Sequence, residues 1–340
     1  MRPTDFSKSL TNFLSCYLPG EKGISKNTIA SYRDTFVLFL TFMKDEKGIP
    51  ADKLTLKQVD KEKVMDFLDW IEEKRLCSAA TRNVRLAALH SFFHYLQYQS
   101  PENLLEWHRI LSIPVKRTKK ASISYLSLEG IRLLLEEPDR STRNGRRDLA
   151  LLSLMYDSGA RVQEVIDLTP SMVRLEAPCT VKLIGKGNKS RIVPLLDVQV
   201  KFLKTYMSEN KLLEPYANMY PLFSNSRKEK LTRAGVNYIL AKYAQQARNK
   251  NPALIPKKLS CHCLRHSKAM HLLQSGVNLV YIRDILGHTS IQVTEVYART
   301  DSRQKREAIE KAYTDVTPKE TPLWLVNNDL LEWLKSFSKS

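Results

Sequence analysis

Cysteine is scarce in this chain: five in 340 residues, an odd number, widely scattered. They define no disulfide framework and point to a reducing compartment. Long apolar runs are missing, so no segment suits a bilayer-spanning helix, and the opening MRPTDFSKSL carries no apolar signal core. We expect a cytoplasmic protein with no membrane partner. A phosphate loop is missing as well, because GKGNKS lacks the G-x-x-x-x-G-K-[ST] spacing, and no dense Asp/Glu cluster offers a Mg²⁺ site. Acid is short: 36 Asp and Glu face 54 Lys and Arg, a formal net charge of +18. A surplus of that size suits a polyanion, since basic surfaces bind phosphate backbones by releasing counterions. The basic residues are spread along the chain and do not gather on one amphipathic helix, which favours nucleic acid over an anionic membrane.

What is present is mostly helical. In NTIASYRDTFVLFLTFMKDEKG, Ile29, Tyr32, Phe36, Phe39, Leu40 and Met43 recur at three and four, and the pattern stops at Gly48. DKEKVMDFLDWIEEKR repeats it with Val64, Phe67, Leu68 and Ile71. AATRNVRLAALHSFFHYLQYQ does so with Val84, Ala88, Phe92, Tyr95 and Leu96, which puts Arg82 and Arg85 on the opposite, outward face. These segments predict a helical domain over residues 1–114 whose basic outer faces suit a duplex. IPVKRTKKASIS then breaks the pattern with a proline, followed by Lys116, Arg117, Lys119 and Lys120. We read 115–124 as a basic linker, a hinge able to lie along phosphates.

Helical patterns resume from Tyr125 in SLEGIRLLLEEPD, opening at Ser127, and in RRDLALLSLMYDSGARVQEVIDLT, interrupted at Gly159. CTVKLIGKGNKSRIVPLL places β-formers on both sides of Gly-Lys-Gly-Asn-Lys and predicts a β-hairpin with a glycine-rich turn. Helices return in TRAGVNYILAKYAQQARN, LRHSKAMHLLQSG, LVYIRDILGH and SIQVTEVYART. The expected fold class is α+β: mainly α with a small antiparallel β-sheet.

Several polar residues fall at element ends, where functional groups concentrate. Arg161 follows the SGA break, with Glu164 one turn later; Lys186 sits at the hairpin tip; His262 and Arg265 share a face at a helix start. His288 follows Gly287, a candidate helix cap, and Tyr297 lies in the next short helix. Cys261, Cys263, His266 and His271 form the one alternative worth weighing, a zinc site. The two cysteines are too close for the usual spacing, and no second pair accompanies them. An arginine among the would-be ligands suits an anion instead.

In order, GARVQE, IGKGNKSRIVPL, HCLRHS and LGHTSIQVTEVY resemble the motifs of the tyrosine recombinase (phage integrase, Xer-like) family over about residues 125–300. The helical front is similar to that family's SAM-like core-binding domain, with a less specific match. The resemblance implies a two-domain, C-shaped clamp on DNA: core-binding domain 1–114, linker 115–124, catalytic domain 125–312 and a tail helix over 313–340. It implies catalytic roles for Arg161, Lys186, His262, Arg265, His288 and Tyr297, supported by Glu164. Tyr297 would attack the scissile phosphate to give a 3′-phosphotyrosine, helped by His262 as general base. Arg161, Arg265 and His288 would hold the phosphate and Lys186 would protonate the leaving 5′-oxygen. No metal, ATP or other cofactor is expected. Arg82, Arg85, Lys116, Arg117, Lys119, Lys120, Lys189 and Arg191 are the expected DNA contacts. Cys261 departs from the family's common Pro or Thr, and Val293 and Arg299 from a common Thr and His, which leaves rate and site preference open.

The implied partners are double-stranded recombination sites, further copies of the chain (a dimer per site, a tetramer in the synapse) and an accessory directionality factor, in a prokaryotic, nucleoid-associated setting. Leu323, Val326, Leu330, Trp333, Leu334 and Phe337 form one apolar stripe in the tail, expected to dock on a neighbouring protomer. Two other functions remain in view: a non-catalytic DNA-binding protein of the same fold, and a type IB topoisomerase-like enzyme.

Overall fold

The computed structural model describes residues 3–118, 123–300 and 331. The chain divides into two compact units, Met1–Ala121 and Ser122–Ser340. Lys119, Lys120 and the expected tail stripe lie outside the described residues.

The first unit is helical. α1 (Asp5–Asn12) runs on into a wider-wound segment, Phe13–Glu21, and is followed by α2 (Lys26–Lys47), α3 (Lys61–Glu73), α4 (Ala79–Gln99) and α5 (Leu104–Leu111). Side-chain oxygens of Ser25, Asp60 and Ser78 accept backbone N–H groups at the starts of α2, α3 and α4, and Gly48 ends α2 in the left-handed conformation. The core is aromatic: Phe92 meets Phe6, Phe13 and Phe36 edge-on, and Phe39 meets Phe67 the same way. Burying each such ring contributes about 1.5–3 kcal/mol. These rings are packing, not stacking platforms for bases.

The outward-facing arginines expected on α4 are a correction. Arg82 is 1% exposed, while Val84, expected in the core, is 51% exposed. The helix is enclosed on two sides, so its buried arc is wider than one stripe. Arg82 lies 3.6 Å from the Glu72 carboxylate, and Arg85 donates to the Ser31 carbonyl and Thr35 hydroxyl of α2. Lys116 pairs with Glu72, and its backbone N–H and C=O are both held by the Asn83 amide. The first part of the expected hinge therefore lies along α4.

The second unit contains α6 (Leu128–Glu136), α7 (Arg143–Asp157), α8 (Val162–Ile166), β1 (Val173–Arg174), β2 (Thr180–Ile184) and β3 (Ser190–Pro194). Then follow α9 (Asp197–Glu209), α10 (Arg233–Lys250), α11 (Cys261–Gln274), α12 (Leu279–Leu286) and α13 (Gln292–Thr300). The sheet is antiparallel, in the order β1-β2-β3, and Ile184 pairs with Ser190 across the turn of the hairpin. β1 and α9 were not anticipated; β1 is two residues long and has no alternation to detect. The main core joins α7, α9, α10 and the inner faces of β2 and β3, with Leu151, Val181, Leu203 and Leu240 fully buried. A smaller cluster of Met270, Leu273, Ile282 and Leu286 ties α11 to α12 and includes Tyr297.

Candidate active site

α7 stops at Gly159, which adopts φ +58, and the chain turns into α8 with Arg161 at its cap. Glu164 sits one turn later and folds back on Arg161, taking the backbone N–H at 2.8 Å on one oxygen and the guanidinium at 2.8 Å on the other. Arg191 on β3 reaches the same carboxylate with both terminal nitrogens, at 3.1 and 2.8 Å. Burial alone would raise the Glu164 carboxyl, but the hydrogen bonds and charge of Arg191, joined by Arg161, outweigh it and hold it below the usual carboxylate range. One buried anion thus fixes two guanidiniums.

The carboxyl end of α12 fixes them from the other side. Arg191 Nε donates to the Ile285 carbonyl at 2.7 Å, Arg265 on α11 to Leu286 at 2.6 Å, and Arg161 to Gly287 at 3.4 Å. Arg265 also donates to the Gly159 carbonyl at 2.6 Å. Terminal helix carbonyls lack intrahelical donors and sit at the negative end of the helix dipole, so cations belong there. Gly287 ends α12 at φ +64, and a Cβ there would stand 2.8 Å from Arg191 Nη1. A side chain there would meet both the positive φ of the turn and the guanidinium beside it.

His288 leaves that turn, and its Nδ1 lies 2.9 Å from the Thr294 hydroxyl on α13. Its ring lies nearly parallel to that of Tyr297, with centroids 6.4 Å apart. Burial, then the charges of Arg265, Arg161 and Arg191, push its pKa down to about 4, so it is neutral at pH 7. Tyr297 is 3% exposed, and its hydroxyl lies 2.9 Å from Nδ1 of His266. Burial raises the phenol above its ordinary range, against the pull of Arg265 and Arg161. His266 is lowered by burial, then by His262 and Arg265, which favours its neutral form at pH 7. His262 is exposed at the start of α11, lowered by burial and by Arg265 and Arg161, and makes no hydrogen bond among the described residues. Lys186 lies in the turn Lys186–Asn188 between β2 and β3. A 580 Å³ cleft opens over this region, lined by Arg161, Gly185, Lys189, Arg191, Gly287 and His288. Its lining offers cationic and neutral donors, which suit a phosphate, with one carboxylate, Asp284, among them.

The would-be zinc ligands do not converge. Cys261 donates to the Asn237 side chain, Cys263 lies against Ser260, His271 bonds Tyr156, and His266 bonds Tyr297.

Residues 124–304, more than half of the chain, match the phage integrase family, and residues 10–100 match the phage integrase N-terminal SAM-like domain. The chain belongs to the phage integrase family of tyrosine recombinases. It is 34% identical over 302 residues to a putative integrase/recombinase, y4rC, of Sinorhizobium fredii, covering 89% of this chain and 90% of that protein. It is 31% identical over 300 residues to tyrosine recombinase XerD of Staphylococcus epidermidis, covering 88% and 95%. Its fold is similar to that of XerH site-specific recombinase bound to palindromic difH substrate in a post-cleavage complex, with a TM-score of 0.67 at 24% identity over 83% of this chain and 79% of that one. The protein is a tyrosine-type site-specific recombinase, mainly helical with a small antiparallel sheet.

In this recombinase Arg161 and His288 line the cleft, Glu164 bonds Arg161, Arg265 bonds the Leu286 carbonyl at the end of α12, Tyr297 is buried against His288 and His266, and His262 is exposed at the start of α11. Of the expected DNA contacts in the second unit, Lys189 is exposed at the cleft, whereas Arg191 is turned inward onto Glu164 and the end of α12. In the first unit Arg117 is exposed and Arg82 is not. Sequence reasoning missed two site residues, His266 and Thr294. His266 is one turn beyond His262 and next to Arg265, a spacing that signals a shared face, but it was weighed only as a metal ligand. Thr294 gave no signal: a threonine in a short amphipathic helix looks like a surface residue until the helix is packed.

Proposed function

We propose that the recombinase cleaves and rejoins DNA through a 3′-phosphotyrosine at Tyr297, passing through a Holliday junction. The observation that carries this is the Tyr297 hydroxyl bonded to His266 beside His288 and the arginine-lined cleft. The Tyr297 oxygen forms a bond to phosphorus while the bond from phosphorus to the 5′-oxygen breaks. The phenolic proton passes to Nδ1 of His266, 2.9 Å from the hydroxyl, so in this reading the general-base role expected for His262 moves one turn along the helix. His262, exposed at the start of α11, hydrogen-bonds the phosphate. Arg161 and Arg265 meet the non-bridging oxygens as charge builds, and His288 donates a further hydrogen bond. Lys186 supplies the proton for the departing 5′-hydroxyl. The phosphotyrosine conserves the phosphodiester, so the 5′-hydroxyl of a partner strand reverses the step and exchanges strands.

The setting is integration and excision of a mobile element or resolution of replicon dimers, in the cytoplasm, with two protomers on each site and four in the synapse. A directionality factor and docking of the tail on a neighbouring protomer complete this reading.

The test uses a nicked suicide substrate built from the DNA flanking the gene. Wild-type protein should leave a covalent adduct on a denaturing gel, and Tyr297→Phe should bind the same DNA and leave none. An adduct in the phenylalanine variant would remove Tyr297 from the role. Relaxation of supercoiled plasmid without the site would favour the topoisomerase-like alternative.

A further inference from the structure

The contact between Thr294 and His288 has no place in the reaction as laid out above. Thr294 is fully buried, and the partner of its hydroxyl among the described residues is Nδ1 of His288 at 2.9 Å. Hydroxyls inside helices commonly donate to the carbonyl four residues back. In this unit Ser153 does so to Leu149, Ser158 to Leu154, Ser267 to Cys263 and Ser275 to His271. Thr294 departs from that habit. Four residues back lies Ser290, before α13 begins at Gln292, and its carbonyl takes the Val293 N–H. The hydroxyl is turned to the imidazole instead.

A hydroxyl carries one hydrogen, and a fully buried one must place it on an acceptor. The acceptor at hand is Nδ1, which therefore carries no proton. Burial and the surrounding guanidiniums keep His288 neutral at pH 7, so the ring has one N–H, and it must be on Nε2. A histidine that presents Nε2–H donates to an anion; the other tautomer presents a lone pair to the phosphate and repels it.

We propose that Thr294 is a positioning residue of this recombinase: its hydroxyl donates to Nδ1 and fixes His288 as the Nε2–H tautomer that hydrogen-bonds the scissile phosphate. This rests on His288 acting as a phosphate donor, as set out above. The carbonyl or carboxylate that orients a metal-bound histidine accepts a hydrogen bond from its other ring N–H. Here the orienting group donates, which leaves the imidazole weakly basic and its outer nitrogen a fixed donor.

The decisive measurement is made on the free, full-length protein without DNA. Side-chain ¹⁵N NMR of His288 at pH 7 should show the Nε2–H tautomer alone in the wild type and a mixture in Thr294→Val. With the suicide substrate, Thr294→Val should bind normally and form adduct about ten- to a hundredfold more slowly, the usual scale for losing a partner that orients a functional histidine. Thr294→Ser, which keeps the hydroxyl, should restore most of the rate. In a His288→Ala background, Thr294→Val should cost nothing further. A wild-type Nδ1–H tautomer overturns the inference, as does a valine variant of wild-type rate, or one whose loss persists without His288. Failure of the wild type itself to form a Tyr297-dependent adduct would instead sink the proposed chemistry, and the tautomer in the free protein is read independently of that result.

Discussion

Glu164 is the single residue on which most of the site's geometry turns. It is 4% exposed and is the only carboxylate bonded to Arg161 and Arg191 among the described residues. Glu164→Gln would keep the shape but aim an amide N–H₂ at a guanidinium, leaving buried positive charge without its counterion. The loss should be about 3 kcal/mol of stability, the scale for breaking a buried pair from one side. Urea denaturation of the catalytic-site variant measures it, and a loss under 1 kcal/mol would mean that the carbonyls of α12 suffice to hold both arginines. The sign with pH is fixed by the depressed carboxyl. Its contribution is fully present above the unfolded carboxylate range near 4.3 and is lost as pH falls through the lower folded value. At the same scale, His266 must be neutral to take the phenolic proton, and its pKa lies below the ordinary 6.5. Cleavage should therefore hold from pH 8 to about 6.5 and decline only in more acid buffer. His266→Phe should slow adduct formation far more than it weakens DNA binding, and equal rates with and without His266 would return the base to His262.

At the scale of elements, the turn that ends α12 has two requirements that a pair of substitutions can separate. Gly276 and Gly287 both have positive φ, +82 and +64. A Cβ at Gly276 meets nothing within 4 Å, whereas one at Gly287 would strike the Arg191 side chain. Gly276→Ala should cost only the backbone preference, about 1–2 kcal/mol. Gly287→Ala should cost more and also slow cleavage, because Arg191 must leave the Ile285 carbonyl. Equal stability losses, with cleavage untouched, would show that Arg191 simply moves aside. Elements were also where the sequence was most and least readable. α2, α3 and the β2–β3 hairpin were legible because one face of each is buried and the periodicity shows it. α4 was not, because it packs on two sides: a charge such as Arg82 can be buried when its counterion, Glu72, arrives from another helix. Arg191 failed in the same way, reading as a surface residue of a hairpin when its partner lies in a distant segment. Arg161 and His288 stood out in the sequence because each lies at an element end within two residues of a glycine. Thr294 was invisible because only packing decides which way a helical hydroxyl turns.

Across the whole molecule, histidines set the response to acid. His90, His262, His266, His271 and His288 are all lowered below 6.5, chiefly by burial. The unfolded chain takes up these protons near 6.5 and the folded protein refuses them, so stability is full above that value and falls as pH drops towards the folded values. For His288 that window extends down to about 4. Thermal melts in a pH series from 7.5 to 4.5 should show a progressive fall beginning near 6.5, and a flat profile would mean that these imidazoles are freely solvated. The charge of +18 acts at the same scale: DNA affinity should fall steeply with salt, as a gel-shift series would show.

Three arginines hang on three consecutive carbonyls, Ile285, Leu286 and Gly287. Guanidiniums moored in that way have a support in common. A shift of α12 along its axis carries all three moorings with it, and His288 follows because it is the next residue in the chain. The three guanidiniums and His288 therefore share one support, a helix of eight residues whose Val280 and Tyr281 face solvent. A contact made there would reach all three guanidiniums through the same three carbonyls.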